Sequence, residues 1–407
     1  MKYLPIWWEN LFQRIKRLVR EYEAKNWKGS SINIAVWEPD TNPPEMLRKM
    51  VAEEVLRDDN ANHTYWDNRT HKRLNQNFIE LNTWINIDEF DHIYSLLIPW
   101  EKSILWLLPI ASWANRNDIN LENKWYVRNA PAYDLIWTWC EYLWEQSDIW
   151  PIYSHEHFKL KISNLKKWKL PRMIVTVKPW NPCPVWASRD EWVELIEFCI
   201  KNNIRLVNDW AYTAVVHKNH ISLTEVAKDY KELDWIELLS MSKTYSACGW
   251  RLWVAVWSED FISELTRIKW NTDSWVFWPL IVWMEKYLET EYARIDAKKT
   301  QELYKKRLDI LIPIFEEAWL KLACPSDAWF FMLFKNPNFI DWEKIESSEE
   351  FNSKMIDKVW LVWVPFVWSE INWIKEQFIR YSACYNALNP NNIIRLKEAL
   401  SKVNISY

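Results

Sequence analysis

Apolar positions along the 407-residue chain follow two rhythms. Between residues 8 and 26, Leu11, Ile15, Leu18 and Val19 recur near 3.6-residue spacing, which predicts an amphipathic helix. SINIAV (31–36) reads as extended and runs into the turn-forming WEPDTNPP, after which PEMLRKMVAEEVLRD returns to helical spacing. From about 95 to 255, short continuous apolar runs alternate with amphipathic stretches: YVRNAP, RMIVTVKP, the helical RDEWVELIEFCIKNN, IRLVND and WIELLSMS. Strands that are apolar on both faces and separated by helices predict an α/β fold with a mostly parallel sheet, covered on both sides. EKYLETEYARIDAKKTQELYKKRLDILIPIFEEAW predicts one long charged helix leaving that domain. Beyond it FFMLFK, DKVWLVWVPF and QFIRYSACY alternate with helices and predict a smaller α+β domain. No internal repeat or low-complexity linker interrupts this order.

Composition changes the picture at one point. The chain has 2 Gly and 34 Trp. Ordinary Gly usage near 7% predicts roughly 28 glycines in a chain of this length. The Trp excess is about as large as the Gly deficit. This suggests that most Trp letters stand where the cell inserts Gly, as happens when a UGA codon is translated as Gly but transcribed on paper as Trp. Several Trp letters neighbour turn formers: Trp37 precedes Glu38-Pro39-Asp40, Trp180 precedes Asn181-Pro182, and Trp368 lies in PFVWSEINW. Glycine accepts the positive φ of such turns and a bulky side chain does not. The competing reading is a Trp-rich glycan-stacking surface, which would cluster Trp on a few loops.

Charge and cysteine usage exclude further classes. A formal net charge of −4 argues against nucleic acid as a main partner. Prolines 109, 279 and 365 interrupt the longest apolar runs, so no membrane span is expected. The N-terminus becomes charged too early for a signal peptide. Cys140, Cys183, Cys199, Cys248, Cys324 and Cys384 form no C-x-x-C pair and read as buried thiols, with no metal site. A soluble cytoplasmic protein is expected.

In a parallel sheet, ligands sit at the carboxyl ends of strands. Three such ends carry unusual polar residues: IRLVNDWAY brings Asp209 and Tyr212, IELLSMSKTYSACGWRLW brings Ser240, Ser242, Lys243 and Arg251, and VTVKPWNPCPVW brings Asn181. Alone, each has a bland alternative: a solvated Lys, an N-cap Asp, a core Tyr.

Together, S-M-S-K-x(7)-R with D-x-A-Y and N-P upstream resembles the class I/II aminotransferases, enzymes of fold type I dependent on pyridoxal 5'-phosphate. The resemblance covers nearly the whole chain and sharpens when Trp is read as Gly, AVWEPD becoming AVGEPD and RLWVAVW becoming RLGVAVG. It implies a large cofactor domain over 45–285, with 1–44 and 286–407 forming the small one. It also implies that Lys243 forms the Schiff base with the cofactor aldehyde and shuttles the substrate Cα proton. Asp209 would pair with the pyridine nitrogen, while Tyr212 and Asn181 bond the ring oxygen and Tyr133 stacks on the ring. Ser240, Ser242, Arg251 and the amides of Glu101 and Lys102, after Trp100, would hold the phosphate. Tyr65 would reach the partner subunit's phosphate in a homodimer. Arg380 would clamp the substrate carboxylate beside the turn at Trp37.

The resemblance implies transfer of an amino group between an amino acid and a 2-oxo acid, and RIKWNTDSWVFWPL is similar to the LL-diaminopimelate and aspartate/aromatic branches. A C–S lyase or decarboxylase on the same fold, or a catalytically silent binding protein, remain as alternatives. Two departures stand out: Asn181-Pro182-Cys183-Pro184 replaces N-P-T-G, and D-W-A-Y lacks an acidic second residue. Literal Trp at 37, 100, 180 and 253 is expected to overpack tight turns at about 1–3 kcal/mol each.

Overall fold

The computed structural model describes residues 11–35, 38–60, 64, 71–99, 104–105, 107–108, 125–130, 146–151, 171–179, 181, 184–216, 220–269, 271–272, 276–328, 330–367 and 377–407. The chain divides into two compact units. One comprises Met1–Asp40, Tyr304–Ser326 and Phe330–Tyr407; the other comprises Thr41–Leu303 and Asp327–Trp329.

The first unit opens with the amphipathic helix Leu11–Lys25 and the short strand β1 (Ile32–Asn33). The second unit is built on a seven-stranded sheet: β2 (Ile93–Ile98), β3 (Trp125–Ala130), β4 (Gln146–Pro151), β5 (Met173–Thr176), β6 (Arg205–Trp210), β7 (Trp235–Ser240) and β8 (Trp253–Ser258). The order is β2-β8-β7-β6-β5-β3-β4. Only β8 runs against its neighbours, so the sheet is mostly parallel, in an α/β fold. Every residue of β5, β6, β7 and β8 is buried. That is why these strands read as unbroken apolar runs instead of alternating ones. Ile98, Val207, Ile236, Leu238, Trp257 and Phe261 belong to one core cluster on this sheet.

The helix Arg189–Asn202 that links β5 to β6 starts at a capping box, with Ser188 Oγ accepting from Glu191 N and the Glu191 carboxylate accepting from Ser188 N. It ends with Asn203 at φ 51°. The Ile204 and Asn203 amides bond back to Cys199 O and Ile200 O, a Schellman motif.

The remainder of the first unit carries β9 (Phe331–Lys335), the hairpin of β10 (Phe339–Ile340) and β11 (Glu343–Lys344), β12 (Leu361–Val362), β13 (Val364–Val367), β14 (Gln377–Ser382) and β15 (Ile405–Ser406). They form an antiparallel β13-β14-β9 sheet, a β11-β10-β15 sheet and the parallel pair β1-β12. Helices Ser348–Val359 and Pro390–Leu400 complete the unit.

Three expectations are corrected. The long helix from residue 285 is two helices, Trp278–Leu288 and Glu291–Glu317. Thr290 Oγ1 turns back onto Tyr287 O at 2.7 Å, and the Tyr287 hydroxyl donates to Asp296 across the break. Trp253 is not in a turn; it opens β8, is 4% exposed, and pairs with Ile98 and Ser240. Trp is also found on buried strand faces, at Trp210, Trp235 and Trp257. Cys199, Cys324 and Cys384 are buried, but Cys248 is half-exposed. Cys140, Cys183 and the turn letters Trp37, Trp100, Trp180 and Trp368 lie outside the described residues. No described helix is long and apolar enough to cross a membrane.

Candidate active site

Because β5, β6 and β7 are adjacent and parallel, their carboxyl ends emerge along one edge of the sheet. Asp209 lies at the end of β6, buried, with Tyr212 buried in the turn that follows. Ser240 ends β7 and caps the single helical turn Met241–Thr244, its Oγ accepting from Ser242 N at 3.1 Å. That turn holds Ser242 and Lys243, the lysine only 7% exposed. Asn181 follows β5 and is half-buried.

Hydrogen bonds tie these exits together. Thr213 Oγ1 donates to Ser240 O and lies 2.9 Å from Thr244 Oγ1, while Thr244 Oγ1 also reaches Thr213 O at 3.1 Å. The loop after β6 is thereby bolted to the turn carrying Lys243. On the β5 side, Asn208 Oδ1 accepts from Lys178 N and Thr176 Oγ1, and its Nδ2 donates to Lys178 O at 3.1 Å.

The Lys243 chain reaches Cys248, with Nζ 3.2 Å from Sγ. Cys248 begins a 3-10 turn, Cys248–Trp250, after which Arg251 adopts φ 57° and donates from Nη1 to Cys248 O at 2.6 Å. Ser240, Ser242, Lys243, Cys248 and Arg251 are therefore one folded constellation. The left-handed Arg251 backbone turns the chain towards β8, and the carbonyl of Leu252, just before that strand, accepts from Met241 N.

Behind it lies a buried carboxylate. Glu237 Oε1 accepts from Asn208 Nδ2 and Leu223 N, and Oε2 accepts from Thr224 N and Oγ1. Burial pushes the Glu237 carboxyl up, and these four donors pull it the other way.

Arg380 belongs to the other unit. It lies in the middle of β14, fully buried, its guanidinium 4.1 Å from the Phe331 ring centre and Nη2 donating to Ala35 O at 3.1 Å. Tyr65, Trp37, Glu101, Lys102 and Tyr133 lie outside the described residues. Sequence reasoning missed Asn208, Glu237, Thr213, Thr244 and Cys248. Only Cys248 carried a local signal, its place five residues after Lys243 in SKTYSAC.

The residues present fit a phosphorylated aldehyde cofactor. Ser242 Oγ is buried with no hydrogen-bond partner among the described residues, and a phosphate oxygen would satisfy it. Two hydroxyls and a guanidinium are a donor set suited to a phosphate dianion.

The profile of the family described as Aminotransferase class I and II matches residues 131–396, and the chain belongs to that family. It is a pyridoxal-phosphate-dependent transaminase, moving an amino group between an amino acid and a 2-oxo acid. Its similar proteins include the LL-diaminopimelate aminotransferase of Methanococcus maripaludis, 23% identical over 94% of this chain and 88% of the relative. That of Maridesulfovibrio salexigens is 25% identical over 97% and 95%. Among solved structures, substrate-bound BacF from Bacillus subtilis superposes with a TM-score of 0.78 at 19% identity, covering 100% of this chain and 96% of that one. An aromatic aminotransferase from Pyrococcus horikoshii gives 0.74 at 16%, covering 94% and 98%. These structural likenesses speak to the fold.

Proposed function

We propose that Lys243 is the catalytic lysine of this transaminase and that the strand-end constellation around it is the cofactor site. The observation that carries this is the burial of Lys243 one turn beyond β7, with Asp209 at the end of the neighbouring parallel strand. Bound pyridoxal phosphate supplies an aldehyde that takes up the amino group and a ring that accepts electrons. Lys243 holds the cofactor and moves the proton at the substrate Cα. Asp209 keeps the pyridine nitrogen protonated, and Tyr212 and Asn181 bond the ring oxygen. Ser240, Ser242 and Arg251 take the phosphate. Following the resemblance, Glu101 and Lys102 add amides there, Tyr133 stacks on the ring, Tyr65 serves the partner site of a homodimer, and Arg380 and the turn at Trp37 receive the substrate carboxylate.

The names of the relatives make LL-diaminopimelate the first donor to assay. The test is a cofactor titration. Wild-type protein should develop the visible absorbance of lysine-bound cofactor, lose it on addition of the donor and regain it with a 2-oxo acid. Lys243→Ala should do none of this. A Lys243→Ala protein that keeps wild-type turnover would end the assignment.

We also propose that most Trp letters are glycines, by UGA recoding. The backbone supports this. Among the described residues, four of the nine non-glycine positions at positive φ are Trp: Trp84, Trp319, Trp342 and Trp360. Trp319 occupies the C′ position of a Schellman motif, with Trp319 N bonded to Glu316 O and Leu320 N to Phe315 O. Asp341 and Trp342, at φ 50° and 69°, form the two-residue turn of the β10–β11 hairpin, where Asp-Gly is the favoured pair. The buried indole nitrogens of Trp210, Trp235, Trp253, Trp257, Trp283 and Trp363 have no hydrogen-bond partner among the described residues, unusual for tryptophan. Trp192, whose Nε1 donates to Ile221 O at 2.7 Å, has the environment of a true one. Peptide mass mapping of protein from its native cell decides the matter: Trp at 319 and 342 would refute the recoding.

A further inference from the structure

We propose that Cys248 is a positioning residue for the catalytic lysine, holding the Lys243 amine through its sulfur. This rests on the assignment of Lys243 made above.

The chain turns back on itself immediately after the lysine. Tyr245 N bonds to Met241 O at 3.2 Å and Ala247 N to Ser242 O at 2.9 Å, which brings residue 248 over the turn that carries Lys243. The sulfur then lies 3.2 Å from Lys243 Nζ and 3.5 Å from Ser242 O. Cys248 also uses its main chain, its carbonyl accepting from Arg251 Nη1 at 2.6 Å. One residue thus contacts the lysine with its side chain and the candidate phosphate-binding arginine with its backbone. Its place is set from three directions, so the sulfur is a fixed point against which the lysine chain is held.

The identity of the atom has a chemical consequence. An amine that takes a proton from a substrate carbon must be neutral when it does so, once the substrate has displaced it from the cofactor. A carboxylate in this position would favour the ammonium form and oppose that duty. A thiol is a weak, uncharged acceptor. With its S–H directed to Ser242 O, it can receive an N–H from Lys243 without fixing a charge on it. Cys248 therefore aims the amine without placing a charge beside it. Being half-exposed and free, Cys248 is also open to a small reagent.

Two experiments test this. In the first, cofactor-free protein is treated with o-phthalaldehyde, which yields a fluorescent isoindole only where an amine and a thiol are neighbours. Fluorescence mapping to Lys243 and Cys248, lost in Cys248→Ser and in Lys243→Ala, is expected; no such adduct in the wild type overturns the proposal. In the second, the donor half-reaction is followed in holoenzyme across pH. Cys248→Ala should slow it about tenfold with the donor KM changed by less than about twofold, and should displace the pH at which the rate rises. Cys248→Ser, which keeps a hydrogen-bond acceptor, should recover most of the rate and the original profile. A purely structural role would lower the rate equally at every pH and sink the idea, as would a Cys248→Ala enzyme with wild-type kinetics. If Lys243→Ala is inactive while Cys248→Ala is unaffected, only this inference fails; if Lys243→Ala remains active, the lysine assignment fails with it.

Discussion

Asn208 donates from Nδ2 to Glu237 Oε1 at 2.7 Å, one residue before Asp209 on the same strand. Consecutive strand residues face opposite sides of a sheet. Asn208 therefore anchors the strand end on one face while Asp209 is presented on the other. The same amide is bonded to the main chain of Lys178 on β5's exit, so one side chain ties three neighbouring strands behind the site. Removing the acceptor at the centre of this brace, Glu237→Ala, strands four buried donor groups. Unfolding in urea should show a loss on the order of 3 kcal/mol or more, and cofactor affinity should fall with it. Glu237→Gln should cost less.

Ser242→Ala separates folding from cofactor binding. Its Oγ has no partner among the described residues, so removing it should leave the thermal stability of the cofactor-free chain unchanged or slightly raised. Cofactor affinity should drop about tenfold, equivalent to about 1.4 kcal/mol. Fluorescence titration of the apo-protein reads the second effect and calorimetry the first. Equal affinity in the two proteins would remove Ser242 from the phosphate site.

His220 gives the fold a defined acid sensitivity. Burial first, and then the Lys178 charge, hold its pKa down at about 3 against an ordinary 6.5, while Glu191 opposes them. The unfolded chain takes up a proton below about 6.5 and the folded chain refuses it until about 3. Stability is therefore lost as pH falls through that window, by up to roughly 1.4 kcal/mol per pH unit. His220→Gln, keeping an acceptor for the Ala187 N–H now bonded to Nδ1, should flatten this slope between pH 6.5 and 5 in urea titrations. An unchanged slope would show that His220 does not carry it.

Replacing Trp letters should sort them by environment. Trp342 is 83% exposed and Trp319 73%, both at positive φ. In the chain carrying literal Trp, changing either to Gly should raise stability by about 1 kcal/mol, as relief of left-handed strain outweighs the loss of an exposed ring. Trp192→Gly should instead cost about 3–5 kcal/mol, since it empties a buried site and strands Ile221 O. Melting temperatures of the three variants test the ordering.

Much of this was legible in the chain. The buried strands β5 to β7 announced themselves as unbroken apolar runs, and SMSK placed a lysine just beyond one of them. The capping box of Ser188 and Glu191 is a three-residue spacing, local enough to read directly. The break at Glu289–Thr290 was not legible, because the helical pattern of charges continues through it. What interrupts the helix is Thr290 bonding to Tyr287 O and Tyr287 reaching Asp296, a competition between side chain and backbone that hydrophobic spacing does not record. The place of Trp253 was misread for a related reason. A turn is expected there, and the pairing of β8 with β2 and β7 makes it a buried strand residue.

The sequence by itself determined the class of fold, the family and the residue types at three strand ends. Those follow from periodicity and spacing, which are properties of near neighbours along the chain. Tertiary structure alone decided that Glu237 braces Asn208 from 29 positions away, that Thr213 bolts the turn of Lys243, and that Cys248 meets the lysine amine. The first two depend on the register of parallel strands, which is fixed only when the whole sheet packs. The third depends on a chain reversal whose hydrogen bonds exist only once Arg251 has turned into β8.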